Sequence, residues 1–433
     1  MVEHAFLDEI AREVGDSFYL FDEAAFRRNY LGLRGRLREH WPGTDVAYAL
    51  KANYMPALVA CVADMQGQVE VVSRFEYDVA RRFLPAERII YNGPIKREAD
   101  LRLALEAGSQ VNLDSFAELE ALARIAGALP RMRVGLRLNF PSSQLISRFG
   151  FDVENGELDE ALTRLEALPG AEVVALHCHA TCRALGVEDP VRRIRRLCEV
   201  ATRLLPDHPI ETINIGGGLL GEMPASLRSQ FSFPVPSLEE YADAIGEAFV
   251  HHRPSAVTRL VVEPGVSMVA NTMCLAARVM EVRQRRDGWQ ALLDTSINAV
   301  NPTRSSVAPL LEAVSVGAVS ARRDEASQPQ SFKLVGNTCM EHDVICEEFT
   351  AALQVGDFVL AKNRGAYSLN YTPPFIVPAC GVVDLEGRVL KRADGDASIL
   401  ASYTQQLEVP RASQPASNNK ENADHEHSLH LCR

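Results

Sequence analysis

The chain has 433 residues, room for roughly two to four domains of ordinary size, or fewer if one is a large barrel. Its 45 Lys+Arg against 57 Asp+Glu give a net charge of -12, an acidic balance that argues against nucleic acid as a partner, because attraction to a phosphate backbone needs a basic face. No run approaches about 18 consecutive apolar residues, and the start MVEHAFLDEIAREVGD carries acids where a signal peptide needs a basic then apolar stretch, so a cytoplasmic protein with no membrane partner is expected.

The nine cysteines are odd in number and contain no CxxC pair, which suits reduced thiols and offers no structural zinc site. Basic residues are almost all Arg. Only six lysines occur, at 51, 96, 333, 362, 391 and 420, so chemistry that needs an amine nucleophile has few candidates.

In chain order, SFYLFDE (17–23) reads as a strand able to join a later β domain. From about residue 45 to 265, short β-branched runs alternate with segments of helical period, the pattern of parallel strands buried on both faces. The runs are DVAYAL (45–50), VEVV (69–72), RIIY (88–91), QVNL (110–113), MRVGLRL (132–138), VVALHC (173–178), TINI (212–215) and RLVV (259–262). Between them, segments such as MPALVACVADM, FAELEALARIAGAL and LEEYADAIGEAFVHH place apolar residues at i, i+3, i+4. Ser115 and Ser237 stand where N-caps belong.

Eight such units imply an α/β fold, a (β/α)8 TIM-type barrel over 25–268, with its active site where the strands end. After residue 270, turn-separated strands without long helices imply a C-terminal antiparallel β domain over 269–409, which the segment 1–24 joins. The polar tail 410–433 is expected to be disordered.

The strand ends carry Lys51, Ser73, Asn92-Gly93, Asp114-Ser115, Asn139, His179, Gly216-Gly217-Gly218 and Glu263-Pro264-Gly265. Lys51 is a Schiff-base candidate or a solvated strand-end lysine. Three successive glycines let backbone N–H groups approach a phosphate, or simply make a turn. His177 and His179, two apart, share a strand face; a zinc site there lacks a fourth ligand. Glu263 either caps a turn or holds a heteroaromatic nitrogen protonated. Cys339 and Tyr367, in the β domain, read on their own as packed side chains.

Together these motifs resemble the fold-type III pyridoxal-phosphate decarboxylases, the family of diaminopimelate, ornithine and arginine decarboxylases, with a more distant likeness to alanine racemase. The resemblance covers about residues 17 to 400 and rests on YALKAN (48–53), VEVVSRFE (69–76), YNGPIK (91–96), NLDSFAELE (112–120), SRFG (147–150), LHCHA (176–180), the glycine run, EPG (263–265), GNTCMEHDVI (336–345) and GAY (365–367). It implies the cofactor pyridoxal 5'-phosphate and a homodimer with shared active sites acting on a small-molecule amino acid. In this reading Lys51 holds the cofactor as a Schiff base and His179 stacks on its ring. Glu263 pairs with the pyridine nitrogen, while Gly216, Gly217, Gly218 and Tyr367 bind the phosphate. Across the interface Cys339 donates a proton and Asp343 meets the substrate amine.

The chain also departs from the family. Val266 stands where an arginine usually meets the phosphate, and Thr181-Cys182 replace a Gly-Ser pair. Arg183 is the expected substitute cation, or a contact for a substrate carboxylate. Met340 replaces a common acid, which reappears at Glu341, and Arg304 is placed to meet a distal carboxylate. These changes imply a substrate other than plain diaminopimelate or ornithine, for example a carboxylated siderophore or secondary-metabolite intermediate. A racemase and a cofactor-free regulatory relative are the alternatives; Cys339 argues against the first, and the retained Lys51, His179 and Glu263 against the second.

Overall fold

The computed structural model describes residues 2–140, 147–179, 186–316 and 329–403. The chain divides into two compact units, 1–393 and 394–433. In the second, the described residues form a short helix, Asp396–Leu400. The tail 410–433 lies outside the described residues, as do Thr181, Cys182 and Arg183.

In the first unit, eight parallel strands close into a barrel: Thr44–Ala49, Gln68–Val71, Ile89–Tyr91, Gln110–Leu113, Met132–Asn139, Ala171–His177, Thr212–Asn214 and Arg259–Val262. Closure comes from the last strand pairing with the first, Leu260 opposite Thr44 and Val262 opposite Val46. Each apolar run named above coincides with one of these strands to within one or two residues. The strands are covered on their outer faces by helices, so Val, Ile and Leu occupy both faces and no polar alternation is needed.

The intervening helices fall where the i, i+3, i+4 spacing places them, including Pro56–Asp64, Phe116–Ile125 and Leu238–His252. Ser237 forms a full capping box with Glu240. Ser115 makes no side-chain cap; instead Glu118 reaches back to accept the Asp114 N–H at 2.8 Å. The longest helices that the sequence reading did not place are His4–Val14 and Glu23–His40. The second is dense in arginine, but its buried side carries Phe26, Tyr30, Leu33 and Leu37, spaced to face one way.

The other sheet is mostly antiparallel. Its central long strand, Met273–Arg285, pairs antiparallel with Ser17–Phe21, Gly288–Leu293 and Phe358–Lys362. Two pairings are parallel, Phe18 to Phe21 alongside Gly381 to Asp384 and Trp289 to Leu292 alongside Phe332 to Val335. Two strands lie outside the predicted set, Leu310–Val314 and Val344–Ala351. Residues 375–380, expected to be extended, form an irregular approach to the strand Gly381–Asp384. Cys61, Cys178, Cys198, Cys274, Cys339 and Cys346 are free thiols.

Barrel and sheet meet over the strand ends. Asn53 Nδ2 donates to the Gly365 carbonyl at 2.9 Å, the Tyr367 N–H donates to the Ala52 carbonyl at 2.8 Å, and Asn370 Nδ2 donates to the Lys51 carbonyl at 3.0 Å. The approach is close enough that a Cβ on Gly365 would lie 1.8 Å from the Val269 carbonyl oxygen, which is backbone and has no free rotation to yield. Gly365→Ala is therefore expected to destabilise the fold by about 3 kcal/mol, read as a lower urea midpoint at unchanged slope. A midpoint equal to wild type would show that the two layers are not in fixed contact here.

Candidate active site

Every barrel strand delivers one polar side chain at or just past its carboxyl end. In strand order these are Lys51, Glu70, Asn92, Asn112, Arg137, His177, Asn214 and Glu263. All but Lys51 are buried, and Glu70 lies inside a strand whose neighbours Val69 and Val71 point the other way. Room for this ring is made partly by Gly135, where a Cβ would sit 2.0 Å from Asn112 Oδ1.

The ring is hydrogen-bonded across the barrel. Lys51 Nζ donates to Glu70 Oε2 at 2.5 Å, and Asn92 Nδ2 donates to both Glu70 Oε1 at 3.1 Å and Glu263 Oε1 at 2.9 Å. Asn112 Nδ2 fixes the amide of Asn92 by donating to its Oδ1 at 2.7 Å. Glu263 Oε1 also accepts from Asn214 Nδ2 at 2.6 Å, and His177 Nε2 approaches Glu263 Oε2 at 3.2 Å. An ionised carboxylate only accepts, so His177 carries its proton on Nε2 here.

Burial pushes the Glu263 carboxyl up, but the His177 charge and hydrogen bond, Lys51 and the Asn214 amide outweigh it, and its pKa falls below the usual carboxylate range. For Lys51, burial pulls downward while Glu70 and Glu263 pull upward more strongly, so its amine is held protonated. His179 has the opposite fate: burial, with Lys51, Arg137 and Arg193 nearby, keeps its pKa well below 6.5. A neutral ring is also what its bonding requires, because His179 Nδ1 accepts the Gly217 N–H at 3.0 Å.

The barrel strand ends at His177, so His179 lies beyond it, and strand alternation does not put the two rings on one face. His177 belongs to the Glu263 cluster and His179 to the glycine turn. That turn is forced. Gly216 and Gly218 have φ of +64° and +90°, and a Cβ on Gly217 would lie 2.4 Å from the Glu263 carbonyl oxygen. Tyr367 sits over Lys51 with φ +51°, its hydroxyl pKa raised by burial and then lowered in part by Lys51.

Cys339 is exposed on a turn of the sheet, with Glu341 exposed on the same turn. Asp343 is buried, and its carboxylate accepts from the Ile297 N–H at 2.7 Å, the Thr338 N–H at 3.1 Å and the Thr338 hydroxyl at 2.6 Å. These bonds build the turn that presents Cys339. Arg304 is exposed, with φ +53° and its guanidinium donating to Asn298 Oδ1 at 2.6 Å; its described partner is not a member of the ring. Arg183 lies outside the described residues.

The sequence reading assigns no role to Glu70, Glu76 or Asn214, and marks Asn92 only as a strand-end residue. The available signal was a lone acid within an otherwise apolar parallel strand, V-E-V-V, which burial makes costly unless it is paired. Glu76 accepts the Val72 N–H at 2.8 Å just behind Glu70.

These residues suit pyridoxal phosphate: an amine on a buried carboxylate, an ionised carboxylate across the barrel for a ring nitrogen, and a turn without Cβ atoms for a phosphate. The profile of the family described as "Pyridoxal-dependent decarboxylase, pyridoxal binding domain" matches residues 34–270. The diaminopimelate decarboxylase of Zymomonas mobilis is 27% identical over 384 residues, 84% of this chain and 86% of that protein. That of Pseudomonas aeruginosa is 28% identical over 83% of this chain and 85% of its own length. Among solved structures, diaminopimelate decarboxylase from M. jannaschii superposes with a TM-score of 0.80 at 22% identity, covering 93% of this chain and 94% of that one. The arginine decarboxylase of Paramecium bursaria Chlorella virus reaches 0.71 at 21% identity, over 88% and 100%.

Burial pushes Glu76 up to about 7, against the pull of the Val72 N–H, with Glu70 adding to the rise and Lys51 opposing it. A carboxyl raised above its ordinary 4.5 stabilises the fold in full below that value, and this contribution is lost as pH rises through about 7. Glu76→Gln is thus expected to gain roughly 2–3 kcal/mol over wild type at pH 8 and little at pH 4.5. Equal differences at the two pH values would show that burial does not raise Glu76 above its ordinary value.

Proposed function

Because the chain belongs to the pyridoxal-dependent decarboxylases, which use pyridoxal 5'-phosphate to remove carbon dioxide from amino acids, we propose that Lys51 carries the cofactor and that the ring of strand-end residues runs the decarboxylation. The observation that carries this reading is the hydrogen-bonded path Lys51–Glu70–Asn92–Glu263, which ties the amine to the carboxylate across the barrel. Bound there, pyridoxal phosphate supplies an electron sink for the pair left behind when a carboxylate departs.

The protein's own residues do the rest. Lys51 must lose a proton before it can act as a nucleophile, and Glu70 Oε2, 2.5 Å away, is placed to hold that proton. Glu263, kept ionised by His177 and two amides, holds a proton on the heteroaromatic nitrogen it faces. His179 offers a neutral ring as a flat wall, and the Gly216 to Gly218 backbone with Tyr367 receives the phosphate. In a homodimer with shared sites, the exposed Cys339 turn of one subunit serves the barrel of the other, with Cys339 returning a proton to Cα and Glu341 beside it.

The substrate is an amino acid. Diaminopimelate decarboxylases are prominent among the relatives, and related structures from M. jannaschii and Helicobacter pylori were solved with L-lysine. The replacements at Val266 and Met340 support a more specialised acid than diaminopimelate, of the carboxylated siderophore or secondary-metabolite kind.

Wild-type protein should show the visible absorbance of lysine-bound cofactor and release carbon dioxide from a carboxylated amino acid. Lys51→Ala should lose the absorbance and at least roughly 10²–10⁴ of the rate. A wild-type protein that neither absorbs nor releases carbon dioxide after added cofactor would end this reading.

A further inference from the structure

The helix Glu188–Leu204 covers the outside of the barrel beside the strands Ala171–His177 and Thr212–Asn214. Its buried stripe runs through Pro190, Ile194, Leu197, Ala201 and Leu204, a spacing that asks for apolar side chains, yet Arg193 stands inside it. Other arginines of this helix, Arg195, Arg196 and Arg203, reach acids at the surface, Glu199, Glu154 and Asp159. Arg193 is 2% exposed. A guanidinium keeps its charge at any ordinary pH, so burying one is costly unless its surroundings use it.

The glycine turn is what uses it. Arg193 Nη1 donates to the carbonyl of Ile215 and, at 2.9 Å, to that of Gly217. The Gly216 carbonyl between them accepts the Glu263 N–H at 2.8 Å. Across a trans peptide the C=O and the following N–H point opposite ways, so Arg193 aims the N–H groups of Gly216 and Gly218 away from the helix. The Gly216 N–H is taken by Asn214 Oδ1 at 2.9 Å, and the Gly217 N–H by His179 Nδ1 at 3.0 Å. The Gly218 N–H, on a residue with φ +90°, meets no acceptor among the described residues.

The charge of Arg193 is also only partly neutralised. Asp189, one turn back, lies 3.1 Å from its Nη2 without the alignment of a hydrogen bond, and is shared with Arg192. Nε and Nη2 of Arg193 are buried without an acceptor among the described residues. Val266, after Glu263-Pro264-Gly265, brings no cation to the turn from the other side.

We propose that Arg193 is the aligning group and counter-charge for the cofactor's phosphate, acting through the peptide between Gly217 and Gly218 without touching the anion. The proposal rests on the assignment of the glycine turn to that phosphate. Arg193 is thus a positioning residue. Its guanidinium holds and polarises the Gly217 carbonyl from behind, and the Gly218 N–H on the far side of the same peptide is left to meet the phosphate. The same charge helps keep His179 neutral, the state in which its Nδ1 can accept the Gly217 N–H.

The test compares pyridoxine 5'-phosphate with pyridoxine, by calorimetry on the full-length protein stripped of cofactor. Neither ligand has the aldehyde that a Schiff base at Lys51 needs, so the ratio of the two affinities reads the phosphate site alone. Wild type should bind the phosphorylated form at least about a hundredfold more tightly. Arg193→Met should cut that ratio at least about tenfold while changing pyridoxine affinity by less than about threefold. Arg193→Lys, which keeps the charge and guards against misfolding, should retain part of the ratio. Asp189→Asn, which removes the acid beside the guanidinium, should raise it. An unchanged ratio in Arg193→Met overturns the proposal, as does a ratio that fails to rise in Asp189→Asn. An equal loss of both ligands in Arg193→Met and Arg193→Lys also overturns it, because a brace between helix and turn would act on both alike. Visible absorbance on adding pyridoxal 5'-phosphate separates this from the Lys51 reading. No absorbance with the ratios as expected removes Lys51 as the anchor and leaves the role of Arg193 standing; no phosphate preference in wild type removes the phosphate site and that role with it.

Discussion

A closed barrel of eight parallel strands brings eight carboxyl ends together on one rim, and burying polar side chains there is tolerable only if each finds a partner. Asn92 is the residue through which they do. Its amide spans Glu70 and Glu263 while its carbonyl oxygen is held by Asn112, so a neutral side chain links two carboxylates that would otherwise repel each other in a dry interior. Lys51 then pairs with Glu70 on one side, and His177 hydrogen-bonds Glu263 on the other. Without that link, nothing fixes the separation between the amine and the carboxylate on which the proposed chemistry depends.

The sheet contributes by fixing the rim from above. Asn53, Ala52 and Lys51 each spend a backbone or side-chain group on the 365–370 segment, so Tyr367 and Arg364 are positioned by the same few bonds that join the two layers. The site is a property of both layers, although most of its titratable groups come from the barrel. The same economy applies on the Cys339 turn, where the buried carboxylate of Asp343 organises the backbone and leaves the exposed thiol free to serve elsewhere.

The barrel was readable because buried parallel strands write themselves as β-branched runs, and the family motifs then singled out Lys51, His179 and Glu263. What the sequence could not display was pairing. Glu70 looks like an interruption in an apolar strand, and only the closed barrel shows that Lys51 and Asn92 await it. His177 looked equivalent to His179 because the strand was taken to run on past its last residue. The turn that Asp343 builds around its own carboxylate likewise leaves no pattern in one dimension. The helix Glu23–His40 was hidden by its arginines, since its buried stripe is narrow. The strand Val344–Ala351 was hidden by consecutive acids at Glu347 and Glu348 on an exposed edge.

The proposed chemistry depends on Glu263 being ionised and facing the cofactor's ring nitrogen, and the most direct measurement is the turnover of Glu263→Gln beside its cofactor affinity. Glutamine preserves the hydrogen bonds from Asn92 and Asn214 but cannot hold a proton on the ring, so carbon dioxide release should fall by roughly 10² or more while the cofactor stays bound. A variant that binds cofactor and turns over within about threefold of wild type would contradict the assignment of the buried carboxylate, and with it the role given to the polar ring.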